Sequence, residues 1–302
     1  MLLLDRSCTL CGPDSPKKVK YEANFSADDF NAAVFSARRS PDRRHFRLVE
    51  CDRCGMIYSD PATDPAAVAG LYETSRVTYE DLEAQIYASY APILDRAVNG
   101  LTHRGAFVEV GGGRGFMLRY GAEKGFAEQI EIEPSADAKD RFVPPSAQAR
   151  FVRGIFNRDV LPPASASLVC FFQVLDHIPD PRSFLEDVLH VLEPGGVAVC
   201  VTHDTKALSA RVLGERSPIY DIEHTYLFHR QNLPELFQKA GFDRVEAFGV
   251  ANNYALRYWL HLAPMPAGLK KVALGLFRGL RLADTPVKLA AGNFGVIARK
   301  PG

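Results

Sequence analysis

Two cysteine pairs of identical spacing, Cys8-Thr9-Leu10-Cys11 and Cys51-Asp52-Arg53-Cys54, are the residues best equipped for chemistry near the amino end. Two C-x-x-C pairs can set four thiolates tetrahedrally around Zn²⁺, each pair forming a knuckle. Gly12 and Gly55 follow directly and supply the tight turn that a knuckle requires. Cys8, Cys11, Cys51 and Cys54 are therefore the candidate metal ligands. The competing reading is a pair of disulfides, but the chain shows no secretion signal and is expected where thiols stay reduced. With no fifth candidate ligand, the site is expected to be closed and structural rather than catalytic. Between the pairs, residues 12–50 are polar and broken by Pro13, Pro16 and Pro41, so a metal has to hold what a core cannot. Cys170 and Cys200 stand alone inside apolar runs.

A second constellation runs from Glu109 through Gly111-Gly112-Gly113-Arg114-Gly115 and opens a helical stretch. Glycines at 111, 113 and 115 let backbone amides approach a ligand at a helix amino end. A dinucleotide fold asks for G-x-G-x-x-G, hence glycine at position 116, where Phe116 stands. Glu133 lies eighteen residues beyond Gly115 at the end of the next apolar run, where a carboxylate can grip two ribose hydroxyls.

The elements that must position these groups alternate. Strands are predicted at 106–110, 129–133, 150–153, 168–173 and 197–202, their starts roughly 20 to 30 residues apart, the repeat of βαβ units with a parallel, doubly covered sheet. The helix after the fourth strand is signposted by Asp180 as cap, Pro181 at its first position and a Phe184, Leu185, Val188, Leu192 stripe, with Pro194-Gly195-Gly196 as its stop. Ahead of the sheet, a short helix from Asp64-Pro65 to Tyr72 and a longer one from about Tyr79 to Asn99 are predicted, the latter striped by Leu82, Ile86, Tyr90, Ile93/Leu94 and Ala97. A further capped helix spans Asn232 to Gly241, and strands six and seven are predicted at about 243–250 and 293–299.

At these residues the chain resembles the class I S-adenosylmethionine-dependent methyltransferases, from about Phe107 to Phe242 and again at the final strand. Val108 to Gly115 resembles the family's first motif, with Glu109 where Asp is commoner. Ile132-Glu133-Pro134-Ser135 is similar to the ribose-binding end of strand two, and Phe172 to Pro181 to the fourth-strand motif, with Asp176 where Glu is more frequent. Leu192-Glu193-Pro194-Gly195-Gly196 is similar to the turn before strand five. The resemblance implies an α/β fold: a Rossmann-like, seven-stranded, mostly parallel sheet with the last strand antiparallel, here joined to a small amino-terminal zinc ribbon. It implies S-adenosylmethionine as cofactor beside structural Zn²⁺. Gly111, Gly112, Gly113 and Gly115 would cradle its amino-acid part, Glu109 would balance positive charge, and Glu133 would take the ribose. Ile155 and Phe156 would wall the adenine, and Gln173 and Val174 would close the site at the fourth strand. The implied organisation is a ribbon over residues 1–60, linking helices over 61–104 and a methyltransferase domain over 105–302.

Methyl transfer is an in-line displacement from a sulfonium, so alignment supplies most of the rate, on the order of 7–11 kcal/mol. A general base is needed only for a hydroxyl, an acidic carbon or a protonated amine. His177 is expected to cap the turn before Pro179, and His203-Asp204 to sit in a solvated loop. His224, in Tyr220-Asp221-Ile222-Glu223-His224-Thr225-Tyr226, lies where many small-molecule methyltransferases place acceptor-contacting residues and is the candidate base. One sugar C-methyltransferase group carries Tyr-His-Glu-His near this point; here only Glu223-His224 matches, which weakens a claim to ketosugar C-methylation and leaves the acceptor open.

Composition bounds the partners. The 302 residues carry 36 basic and 36 acidic side chains, so no global field draws in nucleic acid. The run Arg38-Arg39 to Arg43-Arg44-His45-Phe46-Arg47 leaves RNA binding by the ribbon as the alternative, and a scaffold with a vestigial site as a third reading. From Ala255 onward eight basic residues face one acid, Asp284, so that segment carries +7 and the remainder −7. Within an insertion over about 251–290, Leu269, Val272, Ala273, Leu276 and Leu280 share one helical side, with Lys270, Lys271, Arg278 and Arg281 opposite. That helix, 269–281, is expected to be a lid with a solvated basic face, or to dock on an anionic membrane or a phosphorylated substrate. The reading is a cytoplasmic enzyme acting on a sugar, glycan or specialised metabolite.

Overall fold

The computed structural model describes residues 2–25, 44–76, 82–263 and 265–302. Arg38, Arg39 and Arg43 of the basic run, and the expected helix start at Tyr79, lie outside the described residues. The amino end forms β1 (Leu3–Leu4), β2 (Lys17–Tyr21), β3 (Leu48–Cys51), β4 (Ile57–Ser59) and β5 (Ala62–Thr63), followed by α1 (Pro65–Glu73) and α2 (Glu83–Val98). Then come β6 (Ala106–Val110), α3 (Leu118–Glu123), β7 (Glu128–Glu133), α4 (Ala136–Asp140), β8 (Ala149–Arg153), β9 (Ala166–Phe172), α5 (Pro181–Val191) and β10 (Leu192–His203). The chain ends with α6 (Leu208–Leu213), β11 (Tyr226–Leu227), α7 (Asn232–Lys239), β12 (Asp243–Ala255), α8 (Leu256–Leu262), α9 (Ala267–Gly279) and β13 (Pro286–Arg299).

Seven strands in the order β12-β13-β10-β9-β6-β7-β8 make the main sheet. Neighbours from β10 across to β8 run parallel, and β13 is antiparallel to both β10 and β12. β6 and β9 are buried along their whole length, as strands covered by helices on both faces must be. One face packs on α2 through Ile86, Tyr90, Leu94 and Ala97, and the other on α5 and α7 through Phe184, Leu185, Val188, Leu236 and Phe237. The start signals read from sequence operate as expected: Asp64 accepts from the Ala66 amide and Asp180 from the Ser183 amide, each ahead of a proline.

Three elements differ from expectation. The segment 192–196 does not simply turn. Leu192 already pairs with Ala166, and a bulge with Gly195 at φ +77° resets the register at Val197. The last two strands are longer than predicted, because beyond the sheet they continue as a hairpin that pairs Asn252 with Leu289 and Ala255 with Pro286. On α9 the expected inward stripe points outward. Leu269, Val272, Leu276 and Leu280 are exposed, while Ala273, Leu274 and Phe277 are half-buried on the side packed toward α8. The smaller side is held there by Lys270 Nζ, which donates to the His261 carbonyl at 2.6 Å.

The cysteine-bearing strands form a second sheet, β11-β4-β3-β2, whose fourth strand is Tyr226–Leu227 from deep in the chain. Cys8, Leu10, Val49 and Tyr58 share one core with Phe228, Leu233 and Phe237. Among the described residues, no helix is long and apolar enough to cross a membrane.

Candidate active site

The four sulfurs of Cys8, Cys11, Cys51 and Cys54 lie within 4.8 Å of one another, and all six cysteines are free thiols. A tetrahedral zinc with bonds near 2.3 Å holds its sulfurs about 3.8 Å apart, so the four thiols need only small shifts to ligate one. Each knuckle closes as its spacing predicts. The Gly12 amide donates to the Cys8 carbonyl and the Gly55 amide to the Cys51 carbonyl, both at 2.8 Å, with both glycines at positive φ. The donor set fits a structural zinc.

The glycine loop leaves β6 at Val110. Gly112 is dictated by what lies beneath it: a Cβ there would stand 2.2 Å from the Glu109 carboxyl carbon. Glu109 is buried, and one of its oxygens accepts from the Met117 amide at 3.1 Å, at the start of α3. Glu131, also buried, accepts from the Gly112 amide at 2.8 Å. Burial pushes Glu109 up to about 8 and Glu131 well above the usual carboxylate range, the latter helped by repulsion from Glu109 and Glu133. The pair therefore keeps a proton and holds the loop from below. Glu133 sits at the end of β7, accepting from the Gly113 amide at 3.3 Å and the Ser135 amide at 3.0 Å. Each carboxylate oxygen retains acceptor capacity for a further donor.

A cleft of about 490 Å³ opens at the carboxyl ends of β6, β7, β8 and β9, within the size range of small-molecule sites. Gly111, Glu133, Ile155, Phe156, Gln173, Val174 and His224 all line it. Glu109, Gly112, Gly113 and Gly115 do not, and act from behind the wall. Gln173 holds φ +58°, unusual for a residue with a side chain, and its buried amide oxygen lacks a hydrogen-bond partner.

The far side of the cleft is built from His177, His203, His224, Asn252, Tyr254, Tyr258, Trp259, Leu262 and Asn293. Behind the histidines lies Asp176, fully buried, with neither carboxylate oxygen hydrogen-bonded among the described residues. One of them is 3.7 Å from His224 Nε2 and 3.8 Å from His203 Nε2. Burial pushes the Asp176 carboxyl up, and His224, His177 and His203 together outweigh it and hold the group below its usual value. His224 Nδ1 lies 2.8 Å from the Ile219 carbonyl, so Nδ1 carries the proton and Nε2 is left able to accept one. His177 is not a turn cap: its Nδ1 meets the Tyr72 hydroxyl at 3.0 Å, and burial drives it down to about 4, so it is neutral. Nor is His203 in a solvated loop. It ends β10 with Nδ1 3.0 Å from Asn293 Oδ1.

The ribbon reaches this wall directly. Ser59 of β4 donates to the Thr225 carbonyl at 2.9 Å, and the Thr225 amide donates to the Asp176 carbonyl at 2.8 Å. His229 Nε2 meets the Cys54 carbonyl at 3.0 Å, and Lys239 Nζ donates to the Leu10 carbonyl at 2.8 Å. The segment carrying His224 thus hangs between a cysteine knuckle and the fourth-strand turn.

A model of the methyltransferase-domain family matches residues 82–247. The chain belongs to that family. It is 33% identical over 96 residues to a "probable S-adenosylmethionine-dependent methyltransferase" of Mycolicibacterium smegmatis, covering 32% of this chain and 36% of the relative. It is 31% identical over 173 residues to an uncharacterized methyltransferase of Mycobacterium sp. strain JLS, covering 56% of this chain and 60% of the relative. Less than two thirds of either relative is spanned. Similar solved structures include an S-adenosylmethionine-dependent methyltransferase from Archaeoglobus fulgidus (17% identity, 74% of this chain, 100% of that one, TM-score 0.48). Another is phosphoethanolamine N-methyltransferase 2 of Haemonchus contortus with S-adenosyl-L-methionine (17% identity, 75% and 60%, TM-score 0.44).

In this methyltransferase-family chain, sequence reading passed over Glu131 and the aromatic side of the cleft. The alternation Gln129-Ile130-Glu131-Ile132-Glu133 does place Glu131 on the face that carries Glu133. Tyr254, Tyr258 and Trp259 gave only the weaker signal of aromatic residues crowded into the insertion, the chain's one tryptophan among them.

Proposed function

We propose that the protein is an S-adenosylmethionine-dependent methyltransferase acting on a small-molecule acceptor (a sugar, glycan or specialised metabolite) in the cleft between the strand ends and the aromatic wall. The observation that carries the reading is one cavity that joins Gly111, Glu133 and Gln173 on one side to three histidines on the other. The cofactor supplies an electrophilic methyl group on a sulfonium. Glu133 binds the ribose hydroxyls, Ile155 and Phe156 flank the adenine, and Gly111, on a loop held from below by Glu109 and Glu131, lets the amino-acid end approach the backbone closely. His224 Nε2 takes the acceptor's proton as its oxygen, nitrogen or carbon attacks, and Asp176 stabilises the imidazolium across 3.7 Å. Cys8, Cys11, Cys51 and Cys54 hold a structural zinc, and in this reading residues 1–60 support the acceptor wall of the 105–302 domain.

A methyl-labelled donor incubated with the full chain and fractionated cell extract tests this. Label is expected in low-molecular-weight or glycan material. Label retained in RNA, where the ribbon would serve as the grip, replaces the reading with RNA methylation.

A further inference from the structure

The exposed side of α9 has no role in the cleft, and it is unusually apolar for a surface. Leu269, Val272, Leu276 and Leu280, spaced three and four residues apart, are 55%, 69%, 60% and 58% exposed, with Leu282 at 43% just beyond. Such a stripe is costly in water unless something covers it. Its neighbours in the chain say what. Lys271, Arg278 and Arg281 are exposed on the same helix and its end, and Lys288 on the adjoining hairpin. The segment's one acid, Asp284, is paired with Arg257 at 3.0 Å. Leucines along one side of a helix, with cations on its other side that no acid pairs with among the described residues, match the acyl boundary and headgroup layer of an anionic bilayer. The docking unit is firmly attached. Trp259 Nε1 donates to the Val287 carbonyl at 2.8 Å, and the Leu256 and Arg257 amides bond to the Thr285 and Ala283 carbonyls.

That attachment ties the surface to the site, because α8, against which α9 packs, contributes Tyr258, Trp259 and Leu262 to the cleft. α8 thus joins the two: it lines the cleft and carries α9, which contributes no lining residue of its own. We propose that the α9 stripe and the cations on the helix's other side dock the protein on an anionic membrane surface, and that the acceptor is an amphiphile whose polar head enters the cleft while its apolar chain stays with the lipid. The choice of acceptor rests on the methyltransferase reading; the docking does not.

The full, zinc-loaded chain is sedimented with phosphatidylcholine vesicles, with and without phosphatidylglycerol, at low and high salt. It is expected to pellet with the anionic vesicles at low salt, to bind about fivefold more weakly for each cation reversed in Lys271→Glu and Arg278→Glu, and to lose about tenfold or more in V272D/L276D. Both of those positions are exposed and outside the cleft, so the double variant keeps its thermal transition and its affinity for S-adenosylhomocysteine by calorimetry. Wild-type protein left in the supernatant with anionic vesicles overturns the docking, as does a double variant that pellets equally well. So does a dimer, seen by light scattering, that the double variant dissolves, since a second copy then covers the stripe. Docking without S-adenosylhomocysteine binding would defeat the methyltransferase reading and leave the surface assigned. Methyl label confined to water-soluble acceptors, with none in the organic extract of membranes, overturns the choice of an amphiphile.

Discussion

The two halves of the cleft are built on different plans. The half read as the cofactor side is made by consecutive strand-to-loop turns, and each part sits beside the strand that presents it: Gly111 after β6, Glu133 at the end of β7, Ile155 after β8, Gln173 after β9. The half proposed to take the acceptor collects side chains from α1, the end of β10, the 218–224 loop, the β12–α8 corner and β13. It is braced from outside by the cysteine ribbon through Ser59, Thr225 and Asp176. A sheet edge can carry a locally encoded binding loop, whereas a wall assembled over more than two hundred residues needs a separate support. The cysteine ribbon, proposed to be held by zinc, has the position of that support.

If the halves are separable, variants should separate them. His224→Ala is expected to lower turnover by about 10²- to 10⁴-fold, the range for losing a positioned proton acceptor, while S-adenosylhomocysteine affinity by calorimetry stays unchanged. Glu133→Ala does the reverse. Two hydrogen bonds to a charged group are worth about 3 kcal/mol, so the dissociation constant for S-adenosylhomocysteine should rise roughly a hundredfold. Cys51→Ser with Cys54→Ser, or stripping the metal with a chelator, should drop turnover by about a hundredfold through displacement of the His224 segment. Under the same treatment the cofactor-side affinity should hold within about threefold; an equal loss on both sides would erase the distinction.

The smallest effect concerns the proton beneath the glycine loop. Glu109 titrates at about 8 when folded against 4.5 when unfolded, so between those values the folded chain binds more protons. Stability therefore falls as pH rises from about 4.5 to 8 and then levels, with the full cost present above pH 8. Glu109→Gln, which still offers an oxygen to the Met117 amide, should flatten that slope. In melting curves from pH 5 to 8.5 it should gain most on wild type at the alkaline end and little at the acid end.

The same contrast explains what could be read from the sequence. The seven-stranded sheet, the capped helices and the Gly111–Glu133 arrangement rest on short-range signals: apolar runs, Asp-Pro helix starts, and glycines at sharp turns. The cysteine knuckles are equally local, and their four sulfurs converge. The acceptor wall offered no such signal, because Tyr72 meets His177, and Asn293 meets His203, across 105 and 90 residues. Glu109 was legible as a motif residue but not as a buried prop, since its orientation depends on Gly112 above it and Glu131 beside it. The orientation of α9 also escaped, because its wheel gives the two faces but not which of them meets α8.

The measurement that bears most directly on the whole is calorimetric titration of the zinc-loaded full chain with S-adenosylmethionine and S-adenosylhomocysteine. Saturable one-to-one binding of both, lost in Glu133→Ala and retained in His224→Ala, is the expected result. No heat from either ligand, in protein whose folding is verified by a cooperative melt, would contradict a cleft built around a methyl donor.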